Sequence, residues 1–175
     1  LEVEARASLN RIVRFLRGQP GLEALEVVRI APEVGVRETV TIEGRAEVTI
    51  DDYVTGRVWP DAVCYSYYPV DLHGKDSASW NFKTLPEGTV GTVPLRALQP
   101  RDGANMLVAG RCFCSDRLAN SAMRVQASAM AMGQAAGAAA VLASRGPGLN
   151  GVSAADVRRL AAEHGAIVPT DADNA

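Results

Sequence analysis

Apolar positions recur every three to four residues over residues 4–17, where Leu9, Ile12, Val13 and Leu16 share one side of a predicted helix. Gly18, Pro20 and Gly21 stop it. Residues 22–31 carry Leu25, Val27, Val28 and Ile30 and predict a strand, and the alternating Val40 and Ile42 predict another, closed by a turn at Glu43 and Gly44. Residues 47–58 read as a short helix, with Asp51 and Asp52 near its start to complement its dipole, and Trp59, Pro60 and Asp61 break it. Residues 62–68 are β-rich, with Val63, Tyr65 and Tyr67 on one face. The polar stretch 74–91 reads as a loop or hairpin, in which Trp80 and Phe82 either pack on a ligand or anchor the loop. A strand starts at residues 92–96, and Arg101, Asp102 and Gly103 form a turn.

The chain is organised around residues 105–143. A short apolar run over residues 106–109, ending at Gly110, predicts a buried strand whose last carbonyls face a crevice. A Gly-Arg turn and a loop lead into a long helix rich in small residues, expected to start within residues 123–127. Gly133, Ala136, Gly137 and Ala140 recur on it at helical spacing, a face that admits another backbone or a flat ligand. Its N-terminus presents unpaired N–H groups and the positive end of the dipole, which suits an anionic group. Arg145, Gly146, Pro147 and Gly148 form a linker, Ser153 caps a last helix over residues 154–163, Gly165 stops it, and the tail from Thr170 frays.

Composition narrows the classes. Of the 175 residues, 47% are hydrophobic and 22% charged, ordinary for a soluble globular chain. A formal charge of −2 supplies no basic field, so nucleic acid is not an expected partner. No uninterrupted apolar run reaches the roughly 18 residues of a membrane span, because Arg124, Gln126 and Gln134 interrupt the small-residue helix. Cys64 stands alone and Cys112 and Cys114 lie two apart, which indicates no disulfide framework and makes a reducing, cytoplasmic compartment the expectation. With only His73 and His164 in the chain, no metal site is expected, and the cysteines read as buried small residues.

V-A-G-R-C at 108–112, M-R-V at 123–125 and M-G-Q-A-A-G-A-A-A at 132–140 resemble the C-terminal flavin-binding segment of the FAD-dependent oxidoreductases, the group that includes fumarate-reductase-like and glutathione-reductase-2-type flavoproteins. The resemblance extends through G-V-R-E-T at 35–39, Y-P-V-D-L-H at 68–73 and P-L-R-A-L-Q-P at 94–100, so it covers residues 32–143. It implies an α/β (α+β) fold of the FAD/NAD(P)-binding type. Residues 1–104 would be part of a substrate or cap domain with a mixed or antiparallel sheet. Residues 105–145 would be the last strand and helix of the FAD domain, and 146–175 a linker and C-terminal helix. The family opens with a Gly-rich strand-turn-helix that cradles the FAD pyrophosphate, and no G-x-G-x-x-G occurs in this sequence. The resemblance therefore implies either a C-terminal portion whose partner is the N-terminal half of the same protein, or a chain that has lost the nucleotide half. FAD is the implied cofactor. Hydride transfer with a small anionic or polyhydroxylated substrate is the implied chemistry. The competing reading is a non-catalytic ligand-binding or assembly module of flavoprotein ancestry.

The same resemblance places cofactor contacts at Gly110, Arg111, Arg124, Val125, Gln126 and Gly133, with the backbone N–H groups of Val125, Gln126 and Ala127 as donors toward the flavin ring. Arg111 either forks onto a phosphate oxygen or pairs with Asp116. The catalytic candidates are Arg37, His73 and Arg96. Arg37 is either a functional cation or the structural partner of Glu33 or Glu38, and His73 either a satisfied structural residue or one that orients substrate or passes a proton. Leu95 stands before Arg96 where family members commonly carry an aromatic residue. Arg37, His73, Arg96 and Arg124 are expected to converge near the flavin ring, against the alternative of four separate surface charges.

Overall fold

The periodic stretch at the start forms α1, Glu2–Arg17, with Glu2 and Glu4 in its first turn, Arg14 and Arg17 in its last, and Gly18 as C-cap. The computed structural model describes residues 1–72, 81–146 and 148–170, and the chain divides into two units, Leu1–Arg37 and Glu38–Ala175. In the first unit the segment after α1 is irregular. The Val34 N–H donates to Glu2 at 2.7 Å, Arg6 to the Pro32 carbonyl at 3.1 Å and Arg17 to the Leu25 carbonyl at 2.8 Å. The strand expected over residues 22–31 does not form. A strand needs a neighbour to complete its ladder, and Val28, 97% exposed, has no apolar face to lie on.

The second unit is a mixed α/β body with small antiparallel sheets. Its first helix, α2 (Ile50–Val54), is shorter than the expected 47–58 and owes its start to a capping box: the Asp52 N–H donates to Thr49 Oγ1, and the Thr49 N–H to the Asp52 carboxylate. Then come β1 (Ala62–Ser66), β2 (Val70–Leu72), β3 (Asn81–Lys83) and β4 (Gly91–Pro94). β1 pairs antiparallel with β4, with a register shift between Ala62 and Cys64, and β2 pairs antiparallel with β3. The predicted face of Val63, Tyr65 and Tyr67 is corrected: Val63, Cys64 and Ser66 are all buried, whereas Tyr67 is exposed. Both faces of β1 are covered, so alternation fails as a guide. After β4 the chain turns at once into a 3₁₀ segment, Leu95–Leu98. His73, Trp80 and most of the first half of the predicted loop 74–91 lie outside the described residues, as do Pro147 and the tail beyond Thr170.

Neither the strand expected at Val40 and Ile42 nor the one at residues 106–109 forms. Residues 38–48 instead run beside an irregular loop and hydrogen-bond to it one residue at a time: the Ile42 N–H reaches the Cys112 carbonyl at 2.9 Å and the Val48 N–H the Cys114 carbonyl at 3.2 Å. The Val108 N–H meets the Leu98 carbonyl at 2.8 Å, and Met106 is half exposed. Extended backbone alone does not make a strand without a continuous partner. Gly44 marks close packing, not the predicted turn. It forms a bridge with Pro100, and a Cβ there would lie 2.5 Å from the Cys114 Cβ.

Two helices close the core. α3, Arg117–Met123, has no counterpart in the sequence expectation, and α4, Gln126–Ser144, follows it directly. The last helix, α5 (Ala154–Glu163), is capped by Ser153 onto the Asp156 N–H, and Gly165 follows with φ +81°. α4 packs on β1 and α5, burying Ser128, Met132, Ala135, Ala138 and Ala139. Residues on either side of position 105 thus share one core. By length and composition alone α4 is apolar enough to cross a membrane, contrary to the sequence expectation, but a core helix passes the same test. Its gaps are filled by alanine and methionine.

Tyr53 of α2 is the largest fully buried side chain, and its hydroxyl donates to the Tyr68 carbonyl at 2.7 Å while accepting from the Tyr68 N–H at 2.8 Å. Gly91 lies against its ring, where a Cβ would stand 2.4 Å from Cδ2. Gly91→Ala is expected to lower unfolding free energy by about 1–3 kcal/mol, the usual effect of overpacking, in a urea titration. Burial works to raise the Asp52 carboxyl, but hydrogen bonds from Arg57 and Thr49 outweigh it and hold the group below its ordinary value near 3.8. The stabilisation from Asp52 is therefore present above that ordinary value and lost as pH falls through the lower folded one. Urea titrations of Asp52→Asn and the parent chain should show a stability gap at about pH 6 that narrows toward about pH 2.

Candidate functional site

The loop from Gly110 to Asp116 carries two of the residues expected to contact a cofactor, Gly110 and Arg111. Gly110 opens it at φ +78°, a left-handed conformation that glycine adopts without strain. A Cβ there would meet Ala129 at an ordinary 3.6 Å, so backbone angle, not crowding, calls for glycine. Three of the loop's own N–H groups find backbone acceptors. The Phe113 N–H closes a turn on the Gly110 carbonyl, the Cys114 N–H reaches the Ala97 carbonyl at 3.0 Å, and the Asp116 N–H the Val48 carbonyl at 3.0 Å. Asp116 ends the loop with both carboxylate oxygens engaged: Oδ1 caps α3 through the Ala119 N–H at 2.7 Å, and Oδ2 accepts the first N–H of α2, that of Ile50, at 2.6 Å. Two helix starts converge on one carboxylate, which the positive ends of both favour.

Asn120, buried on α3, donates to the Arg111 carbonyl and to Ser115 Oγ, both at 3.1 Å. That fixes the backbone from which the exposed Arg111 side chain projects. Arg124 ends α3 and is deeply buried, its side chain 7% exposed. It donates to the Asp71 carbonyl of β2 at 3.2 Å and lies 3.6 Å from Glu38, whose other oxygen pairs with Arg117. Arg124 is therefore a tie between residue 38, β2 and α3.

α4 begins where the sequence placed it, with Val125 as N-cap and Gln126 as first residue. Among the described residues no side chain caps it, and Gln126 and Ala127 are exposed. Behind that tip, Ser128 in the first turn meets Ser66 of β1, Oγ to Oγ at 2.7 Å, buried. A Cβ added at Gly133 or Gly137 would meet nothing within 4 Å, so that face of α4 is bare.

Of the substrate candidates, Arg96 is clamped by Asp61 through Nε at 3.0 Å and Nη2 at 3.1 Å, and its own N–H donates to the same carboxylate at 3.1 Å. The hydrogen bonds and the charge of Asp61 push its guanidinium further up. Arg96 and Arg124 are held by different carboxylates. Arg37 belongs to the first unit, and His73 lies outside the described residues. Among the described residues no three His, Cys, Asp or Glu side chains gather as a metal group, and Cys114 packs in the core. Sequence reasoning named Glu38 only as a partner for Arg37 and Asp116 only as a partner for Arg111, and it did not single out Asn120 or Arg117. Only Asp116, three residues before an N–H it caps, left a local signal.

Residues 1–162 match the family described as FAD dependent oxidoreductase, and the chain belongs to that family. No curated protein and no solved structure matches it.

Gly110→Ala is expected to cost about 1–2 kcal/mol, since the left-handed backbone then carries a Cβ. Gly133→Ala, in a helix with open space over it, is expected to be neutral or to stabilise by up to about 1 kcal/mol. Thermal unfolding of the two variants side by side checks the contrast.

Proposed function

We propose that this chain supplies the flavin-ring side and the substrate side of an FAD-dependent oxidoreductase that transfers hydride between a small anionic or polyhydroxylated substrate and the flavin. Family membership supports the class, and the uncapped, solvent-facing start of α4 carries the reading for this chain's own residues. An uncapped helix start offers N–H donors and a positive dipole end, and a reduced flavin ring concentrates negative charge on one edge. The residues fit the group. The N–H groups at Gln126 and Ala127 would face that edge. Gly110 and Arg111 would line the approach to the rest of the cofactor, and the bare glycine face at Gly133 would let another segment or the cofactor come close. Bound FAD supplies the electron-accepting ring, which no amino-acid side chain provides.

The chain's own part is placement. Arg124 is committed to Glu38 and to the Asp71 carbonyl, so its role in this reading is to fix the strand that leads toward His73 and not to meet the ring itself. Arg96, half exposed and held edge-on by Asp61, keeps Nη1 outside that clamp, and we assign it to the substrate's anionic or hydroxyl group. The proposed partner is the N-terminal half of a full flavoprotein, seated on the bare face of α4. A second reading, a ligand-binding or assembly module without turnover, is favoured by one observation: none of the 175 residues forms a G-x-G-x-x-G phosphate loop.

Gln126→Pro separates the readings. Proline is tolerated at the first helical position, and Val125 before it is already extended (φ −70°, ψ 159°), so α4 should keep its fold while losing one N–H donor. In a titration followed by flavin absorbance near about 450 nm or by flavin fluorescence, the parent chain should bind FAD saturably and the proline variant about tenfold more weakly, the worth of roughly one hydrogen bond. A folded chain that shows no saturable FAD binding would favour the module. Equal binding by parent and variant would remove the helix tip from the site.

A further inference from the structure

Among the chain's asparagines only Asn150 is followed by glycine, Gly151. The pair sits in a single 3₁₀ turn, Leu149–Gly151, on the path from α4 to α5. We propose that Asn150 is a site of spontaneous deamidation, a slow covalent change that takes water as its co-reactant and needs no enzyme, and that the change loosens the seat of α5. The proposal is independent of the flavin reading, because it uses no residue assigned there to cofactor or substrate.

The chemistry needs only the two neighbours. The Gly151 backbone nitrogen attacks the side-chain carbonyl carbon of Asn150. A C–N bond forms, the nitrogen gives up its proton, and the amide group leaves as ammonia, so the product is a cyclic imide. Water then opens the imide at either carbonyl. One opening gives aspartate, and the other gives isoaspartate, in which the main chain runs through the side-chain carbon. Glycine favours the attack because no Cβ crowds its nitrogen. The asparagine side chain is short enough to meet nearby main-chain groups.

Position selects the same residue a second time. Asn150 and Gly151 are both exposed, and among the described residues no hydrogen bond engages the Asn150 side chain. Attack requires the Gly151 N–H to leave the Gly148 carbonyl, 3.1 Å away, and the neighbouring bond, from the Val152 N–H to the Leu149 carbonyl, is 3.3 Å long. A lone 3₁₀ turn has poorly aligned bonds and opens locally. Asn120, which precedes Ser121, is the opposite case. It is buried inside α3, and its amide donates to the Arg111 carbonyl and to Ser115 Oγ. Asn105 is exposed, but Met106 follows it and brings a side chain beside the attacking nitrogen.

The consequence follows from what the turn carries. Leu149 is buried, and the turn packs on α4. Two residues after Gly151 stands Ser153, the N-cap of α5, and α5 buries Val157 and Ala161. Isoaspartate adds a carbon to the main chain between that anchor and that cap, and a negative charge to a chain whose formal charge is already −2. Anchor and cap then lose their spacing, so α5 is held less firmly on α4 and β1.

The test is to age the 175-residue chain in neutral buffer, folded and in parallel in urea, and to map its peptides by mass spectrometry. In the folded chain the Asn150 peptide should gain the mass of an amide-to-acid change and split into aspartate and isoaspartate forms, at a rate within several-fold of that in urea. Folding should slow the Asn120 peptide by a much larger factor. Asn150→Gln and Gly151→Ala should each slow the change at residue 150 several-fold, the first because its longer side chain closes a less favourable ring, the second because a Cβ crowds the nitrogen. The aged parent chain should unfold at a lower temperature than fresh Asn150→Asp, which carries the charge without the extra carbon. An Asn150 peptide that keeps its amide in the folded chain, or converts no faster there than the Asn120 peptide, would overturn the site. An unchanged rate in Gly151→Ala would overturn attack by the Gly151 nitrogen. An aged chain that unfolds no earlier than Asn150→Asp would overturn the loosening of α5.

Discussion

The second unit depends on how the backbone of residues 110–116 disposes of its hydrogen-bonding groups. That segment is buried at Gly110, Phe113, Cys114 and Ser115, yet it belongs to no regular sheet. Buried N–H and C=O groups left unpaired cost more than most side-chain contacts return, so the segment has to find partners one at a time. It does so from three directions: Ile42 and Val48 donate to it from one side, Ala97 accepts from it on another, and Asn120 reaches its Arg111 carbonyl from α3. Asp116 completes the pattern by holding the starts of α2 and α3 on one carboxylate. Two helices, the turn after β4 and the stretch 38–48 are located by that one loop, and Gly110 with its positive φ is where it begins.

That arrangement explains what the sequence disclosed and what it hid. Helices α1, α4 and α5 were legible because their signals are local: a 3.6-residue period, a glycine after the last turn, a serine before the first. The capping role of Asp52 was half legible, as an acid near a helix start. The strands were harder. Val40, Ile42 and residues 106–109 have the right residues for strands, but a ladder depends on a continuous partner, and here the partner is an irregular loop. β1 was placed correctly while its buried face was not, because alternation presumes one wet side and this strand has none.

The positive φ at Gly110 and the start of α4 were legible, since both follow from backbone rules that a sequence expresses directly. Its charges were not. Which arginine is tied down and which faces out is decided by residues far away in the chain: Arg96 by Asp61, 35 residues earlier, and Arg124 by Asp71, 53 residues earlier. An arginine next to an apolar run, as Arg124 is, invites a functional reading. Its burial and its contacts with Glu38 and the Asp71 carbonyl show instead the cost such a residue imposes, because a guanidinium taken from water needs its donors satisfied.

α4 shows the same tension at larger scale. It is apolar around most of its circumference, and only one flank, from Ser128 through Ala139, enters the core. A helix built this way is stable in water only if its other flank is made of residues with little side chain to expose, and Gly133, Ala136, Gly137 and Ala140 are of that kind. Glycine is a poor choice for that purpose alone, since alanine would serve as well and hold the helix better by about 1 kcal/mol. Among the described residues nothing lies within 4 Å of a Cβ placed at either glycine, so packing within this chain does not call for them. The same helix keeps its first turn uncapped although a serine or aspartate at position 125 would have stabilised it. Stability has been left out at both the flank and the tip of one helix, and those are the two places where the proposed cofactor and the proposed partner segment would meet it.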